Sequence, residues 1–251
     1  MIERTERSDR WVRGYVGEVA VVDSREGLLF WEDAVPVPNY AFPTADVRMD
    51  LLTESTGPRS DHRFYGPTGP TSAVFDLTLG SRTLLQVAWV RDDPALADRV
   101  VVSWEPGRLD RWTEEDEEVF AHPRDPYSRV DALPSSRHVQ VSVGGEVVAD
   151  STRPVLLFET GLPTRYYLPA SDVRLDLLEE VSHETVCPYK GFADRYWNLP
   201  DHPRVAWSYT APFPAVGAIE GRIAFYNEVV DLTVDGVSLP RPRSAFSEER
   251  P

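Results

Sequence analysis

Hydrophobic and polar positions in this chain alternate over short stretches and seldom recur at helical spacing. The segment RHVQVSV (137–143) alternates, Gly144-Gly145 supplies a two-residue turn, and EVVAD opens a partner strand. That pattern predicts a β-hairpin. RPVLLFE (153–159) and RYYLP (165–169) predict two more strands, with the Gly161-Leu162-Pro163 turn between them. RYWNL, RVAWSY and GRIAFY predict three further strands. SDVRLDLLEE reads as a strand with Val173, Leu175 and Leu177 on one side, although Ser171 could instead cap a short helix. WTEEDEEVF (112–120) fits a helical turn or a surface strand. AHPRDPYSRVDALPSS is broken by prolines and predicts a linker. The tail from Leu239 is expected to be irregular, either wrapping a module or fraying.

The pattern also repeats. PTADVRMDLL (43–52) and PASDVRLDLL (169–178) agree at seven of ten positions after a shift of 126. VGEVAVVDS (16–24) answers GGEVVADST (144–152), and LLF at 28–30 answers LLF at 156–158. VAWV (87–90) answers VAWS (205–208), and RVVVSWE answers RIAFYNE. Blocks in one order predict two homologous modules. Their expected bounds are 12–112 and 138–233, with a charged, proline-rich linker over 113–137 and a tail over 234–251. No βαβ period appears, and no helical pattern of about 12 residues persists. The predicted fold class is mostly β: two tandem compact antiparallel modules, sandwiches or open barrels.

Composition narrows the chemistry. Of 251 residues, 26 are basic and 41 acidic, a formal charge of -15. Such a field repels nucleic acid and anionic membrane, and neither is an expected partner. No apolar run approaches the roughly 18 residues of a membrane span. The opening MIERTERSDRW lacks a signal-peptide core, so a cytoplasmic location is expected. A single cysteine, Cys187, permits neither an intrachain disulfide nor a multi-thiolate zinc site. GxGxxG, a glycine-rich loop with a following lysine, and HExxH are all missing from the sequence. No metal site is expected, and no cofactor is identified.

Chemistry-bearing residues crowd into the second module. Glu159, Arg165, Tyr166 and Tyr167 lie in ETGLPTRYYLP; Cys187, Tyr189, Lys190 and Trp197 lie in TVCPYKGFADRYWNL; Trp207 and Tyr209 lie in AWSYTAPFP. Loops or strand ends from three neighbouring blocks could line one cleft. Arg165 and Lys190 would face an anionic group there, and Tyr166, Tyr167, Tyr189, Trp197, Trp207 and Tyr209 would shape its walls. Glu159, Cys187 and Lys190 are the candidate catalytic groups. A nucleophilic Cys187 needs a base or a positive charge, and His183 and Lys190 are four and three residues away. Tyr167, Trp197 and Trp207 equally suit a strand core. Arg174 and Asp176 recur as Arg48 and Asp50, which points to a structural ion pair. His62 is the nearest first-half counterpart of the Cys187 region and could cover a pocket edge. The leading function is binding of a small molecule or short peptide. The alternatives are a small enzyme and a structural or interaction protein. A monomer with its two modules packed together is expected.

At these residues the chain resembles a family. EVVADSTRPVLLFETGLPTRYYLPASDVRLDLLEE, TVCPYKGFADRYWNL, VAWSYTAPFP and GRIAFY are similar to the bacterial DUF427 domain, also labelled nucleotidyltransferase-like. The resemblance runs over 138–233, with 12–112 similar to a diverged copy. It implies a small, mostly β unit akin to the β-tent or Mss4-like group, with no established activity. Zinc-holding relatives in that group carry paired CxxC motifs, which this chain lacks, so the resemblance implies no zinc. The family's characteristic residues fall here on Glu159, Thr160, Gly161, Leu162, Pro163, Arg165, Tyr166, Tyr167, Pro169, Cys187, Pro188, Tyr189, Lys190, Gly191, Tyr196, Trp197, Trp207 and Tyr209. The histidine often found before its CPYKG run is Val186 here. Polymerase-like nucleotidyl transfer needs paired acids to hold two metals, and no GS motif followed by a DxD or DxE pair is present.

Overall fold

Frequent proline and glycine leave room for strands and short turns only, and a computed structural model of the chain shows that arrangement. It describes all residues except Ala34, 58–64, Ala245 and 248–251; His62 therefore lies outside the described residues. The chain divides into two units, Met1–Asp125 and Pro126–Pro251. Among the described residues the helical pieces are short 3-10 turns, and no helix is long and apolar enough to cross a membrane.

The first unit holds β1 (Ile2–Arg7), β2 (Val12–Val16), β3 (Val19–Ser24), β4 (Leu28–Glu32), β5 (Asn39–Pro43), β6 (Leu52–Glu54), β7 (Thr71–Leu79), β8 (Arg82–Arg91), β9 (Arg99–Val102), β10 (Arg111–Glu114) and β11 (Glu117–Val119). They form a long antiparallel sheet, β1-β4-β5-β9-β8-β7-β6, and a four-stranded one, β11-β10-β2-β3. The second unit holds β12 (Val130–Pro134), β13 (Val139–Val143), β14 (Glu146–Ser151), β15 (Val155–Glu159), β16 (Arg165–Tyr167), β17 (Glu179–Val181), β18 (Thr185–Cys187), β19 (Gly191–Ala193), β20 (Arg195–Leu199), β21 (His202–Ser208), β22 (Ile223–Phe225), β23 (Asp231–Val234) and β24 (Val237–Leu239). Its sheets run β12-β15-β16, β17-β20-β21-β22 and β14-β13-β23-β24, with β18-β19 as a separate hairpin. A Leu168–Ile223 bridge, with backbone bonds of 2.8 and 2.9 Å, links the first two beside β16 and β22. Read through that bridge, the strand order matches the first unit strand for strand.

Local devices match as well. Ser24 donates to Asp46 at 2.6 Å, and Ser151 to Asp172 at 2.7 Å. Arg48 forks onto Asp50 as Arg174 does onto Asp176. Gln86 and Arg204 both take positive φ at a bulge, each N–H donating to a side chain on the preceding strand, Asp76 or Asn198. Register corrects one alignment. Leu29 lies opposite Tyr40 and Leu156 opposite Tyr166, so the LLF block is offset by 127 rather than 128, and Glu32 corresponds to Glu159.

The Gly144-Gly145 hairpin forms as expected, both glycines at the positive φ that such a turn requires. SDVRLDLLEE does not form the expected strand. It makes two 3-10 turns, Ala170–Asp172 and Leu175–Leu177, before β17. The Arg174 N–H is drawn to the Val148 carbonyl at 2.8 Å and its guanidinium to Asp176 two residues on, which bends the chain and leaves Leu175 41% exposed. WTEEDEEVF is the β10–β11 hairpin, turning at Glu115 with φ of 52°. Residues 113–137, expected as a linker, hold the end of β10, all of β11 and the edge strand β12, whose Pro134 sits at the strand end, where a missing N–H is tolerated. Within the expected tail, Val237–Leu239 pairs with β23.

Each unit has two cores, because the long sheet buries residues on both faces. In the second unit one face holds Val139, Val141, Leu168, Trp197, Ala206, Ile223 and Leu232. The other holds Leu157, Tyr167, Tyr196, Trp207, Tyr209, Ala224 and Tyr226. Neighbours in sequence, such as Trp197 and Tyr196, fall on opposite faces, as strand alternation requires.

Candidate functional site

The second of these cores carries the polar chemistry. β18 and β19 are joined by a Cys187-Pro188-Tyr189-Lys190 turn, with the Lys190 N–H on the Cys187 carbonyl at 3.3 Å. Gly191 takes φ of 93° to leave the turn, a conformation that strains any side chain. The turn aims Lys190 inward, where Nζ donates to Glu159 Oε2 at the end of β15. Only 11% of the Lys190 side chain and 8% of the Glu159 side chain remain exposed. Burial alone lowers the Lys190 pKa, but Cys187 and Glu159 together outweigh it and hold it above the ordinary lysine value. Lys190 is therefore an ammonium group, a donor and not a free-amine nucleophile. Cys187, beside it, is partly exposed.

Around this pair stand the rings. Trp207 Nε1–H donates to the Tyr167 hydroxyl at 3.0 Å. Burial pushes the phenols of Tyr167, Tyr209 and Tyr226 upward, so all three stay neutral. Tyr196 shares a 2.6 Å hydrogen bond with Thr185, and the His183 ring stands edge-on to it at 4.7 Å.

Arg165 enters from β16 and is fully engaged inside the protein. It forks onto Glu228 at 2.5 and 2.7 Å and donates to Asn227, whose amide is held by the Thr164 carbonyl. Its side chain is 6% exposed and that of Glu228 0%. Burial would raise the Glu228 pKa, but hydrogen bonds from Arg165 and Ser244 lower it further.

Of the residues singled out in the sequence, Glu159, Lys190, Cys187, Tyr167, Trp207, Tyr209 and Arg165 come together here. Tyr166 and Trp197 do not: both pack in the opposite, apolar core, where Arg195 covers Trp197 at 4.9 Å. Tyr189 is half-buried in the Lys190 turn. Sequence reading missed Tyr226, Asn227 and Glu228. They stand in RIAFYNE, and the recurrence of its glutamate as Glu105 in RVVVSWE was a usable signal. Among the described residues no group of three or more His, Cys, Asp or Glu could hold a metal ion.

A family model described as "Domain of unknown function (DUF427)" matches residues 4–115 and again 131–236. The chain belongs to the DUF427 family. The two matches fall one in each unit, consistent with two tandem copies. No curated protein matches the sequence. The two DUF427 segments differ at this core in a defined way. By register, Tyr167, Tyr196 and Tyr209 correspond to Ala41, Val74 and Arg91, while Trp207 and Glu159 correspond to Trp89 and Glu32. Tyr226 corresponds to Ser103, each donating its N–H to the matching Val205 or Val87 carbonyl.

Proposed function

We propose that the second DUF427 segment binds a small molecule at this polar, aromatic core. Lys190, Tyr167 and Tyr209 supply the polar contacts and Trp207 a wall. The contrast between the two copies carries the reading. Ala41, Val74 and Ser103 occupy the same sheet positions in the first unit, so the fold does not need phenol hydroxyls there. Burying hydroxyls and an ammonium costs free energy unless each is paired. Groups kept at that cost without structural need belong to a ligand or a reaction. Arg165 and Lys190 each face a carboxylate already, which favours a neutral or singly charged ligand over a polyphosphate. Native mass spectrometry of the purified protein would identify a retained ligand, and calorimetry would measure it. Lys190→Met and Tyr209→Phe are each expected to weaken binding by roughly tenfold or more; unchanged affinity in both would refute the assignment.

A second reading rests on one observation, the partly exposed Cys187 thiol beside the Lys190 ammonium. In a reaction, the thiolate form of Cys187 would attack an electrophilic carbon of the ligand and form a C–S bond as the bond to the leaving group breaks. Lys190, held by Glu159, would give its proton to the leaving group and recover it from the water that then hydrolyses the adduct and frees the thiolate. Cys187→Ser separates the two readings. It leaves binding intact in both, but turnover on the retained compound falls by orders of magnitude only if the thiol reacts.

A further inference from the structure

Beyond β24 the chain sets Ser244 and Phe246 against the Arg165–Glu228 pair. The turn is closed on itself. Ser247 N–H donates to the Ser244 carbonyl at 3.1 Å, Phe246 N–H to Ser244 Oγ at 3.1 Å, and Ser244 N–H to Ser247 Oγ at 2.9 Å. It reaches the unit through the Ser244 hydroxyl, which donates to Glu228 Oε1 at 2.5 Å. It also reaches it through the Phe246 ring, 5.8 Å from Tyr226 and 5.7 Å from the Arg165 guanidinium carbon.

The receiving surface is assembled independently of the turn. Arg165 is fixed by Glu228 and Asn227, Asn227 by Thr164, and Trp207 by Tyr167. A guanidinium flanked by Trp207 and Tyr226 at 5.6 and 5.5 Å offers a ready seat for one more ring. The chain leading into the turn is held by the Arg241–Asp231 ion pair at 2.9 Å, a solvent-exposed contact that adds little. Pro240 and Pro242 line an open cleft of about 230 Å³ together with Pro163, Thr164, Tyr166 and Leu239. A segment that borders an open cleft has few dispersion contacts to lose there on leaving.

We propose that Ser244 and Phe246 are the intramolecular occupants of a peptide-binding groove. When displaced, the groove takes a segment of a partner chain with the same chemistry, a hydroxyl side chain two residues before an aromatic ring. The hydroxyl donates to Glu228, and the ring seats between Tyr226 and the Arg165 guanidinium. The groove lies on the Arg165–Glu228 side of the same core and shares Trp207 with the small-molecule site, but it does not use Lys190.

The test uses the full-length chain carrying Ser244→Ala and Phe246→Ala, with the end-capped peptide RPRSAFS (residues 241–247) as the probe, by calorimetry. The peptide is expected to bind the double variant at least tenfold more tightly than the unaltered protein, whose groove is filled. A peptide with alanine at both the serine-244 and phenylalanine positions should lose that gain. Equal affinity for both proteins, or no binding to a double variant that melts cooperatively, overturns the proposal. Should the double variant not fold, Ser244→Ala alone serves, with a gain of about threefold expected and no gain overturning it. Lys190→Met should leave peptide affinity unchanged, which keeps failure of this groove distinguishable from failure of the small-molecule site.

Discussion

On one face of its long sheet the first unit packs Phe30, Ala41, Val74, Trp89, Leu96 and Val101; on the matching face the second packs Tyr167, Tyr196, Trp207, Tyr209 and Tyr226. Both keep a buried glutamate at the end of the second strand of that sheet, Glu32 or Glu159, yet the cation comes from different places. Arg91 on β8 reaches Glu32, helped by the Thr68 hydroxyl, whereas Lys190 reaches Glu159 from the β18–β19 turn. The position of Arg91 is taken by Tyr209 in the second unit, so its charge must be supplied elsewhere. A buried carboxylate without a cation costs several kcal/mol, so the pairing persists while its source changes. One detail shows what the tyrosines add. Trp207 finds the Tyr167 hydroxyl, whereas Trp89, facing Ala41 in its place, buries an Nε1 with no partner among the described residues. The first unit folds with that deficit. In the second, the Tyr167 hydroxyl supplies the acceptor that the first lacks.

The comparison can be broken most forcefully at Glu228. Glu228→Ala leaves Arg165 buried and uncompensated, and a loss of about 3–5 kcal/mol is expected for the second unit in denaturant unfolding. Its first-unit counterpart Glu105 pairs with Arg108, each side chain about a quarter exposed. Glu105→Ala should cost less than about 1 kcal/mol. Similar losses at both sites would show that the two units do not differ as described. Tyr167→Phe recreates the orphaned indole of the first unit and should cost about 1–3 kcal/mol. A neutral result would mean that Trp207 finds another acceptor.

Replacing the whole Lys190–Glu159 pair tests whether it serves stability at all. The double variant Lys190→Met/Glu159→Leu should be about as stable as the parent, because an apolar pair avoids the desolvation of two charges. Marked destabilisation would make the pair a structural element and weaken the case for a ligand. The smallest effect concerns acid. Arg153 holds Asp172 at about 2, and Arg82 with the Gly17 N–H holds Asp110 at about 2. Folded carboxylates with depressed pKa bind fewer protons than unfolded ones, so their stabilisation is complete above about pH 4 and disappears as pH falls towards 2. One such carboxylate lies in each unit, and both are solvent-screened, so modest parallel losses are expected in melting scans between pH 4 and 2. Arg153→Ala should flatten that dependence in the second unit alone.

Much of this was legible in the residues. Hairpins, strand identities and the doubled architecture follow from alternation, glycine turns and ordered repeats, all of which act within a few residues or by comparison along the chain. The clustering of Glu159, Cys187 and Lys190 with aromatics also showed in the sequence, because three loops of one small module could scarcely avoid each other. Alternation also limits which rings can share one face. Tyr166 and Tyr167 cannot both face one site, nor can Tyr196 and Trp197.

Which of the two faces becomes the polar one was decided only in three dimensions. A period of two separates the faces of a strand but does not say what covers each, and here both are buried. The partners that settle the matter lie far along the chain: Glu159 and Lys190 are 31 residues apart, Arg165 and Glu228 63. The bend at Arg174 has the same origin, since its N–H is captured by Val148 on another strand. Short-range pattern determined the strands. Contacts closed over tens of residues determined which side chains meet, because pairing energies between buried groups depend on a geometry that no local spacing encodes.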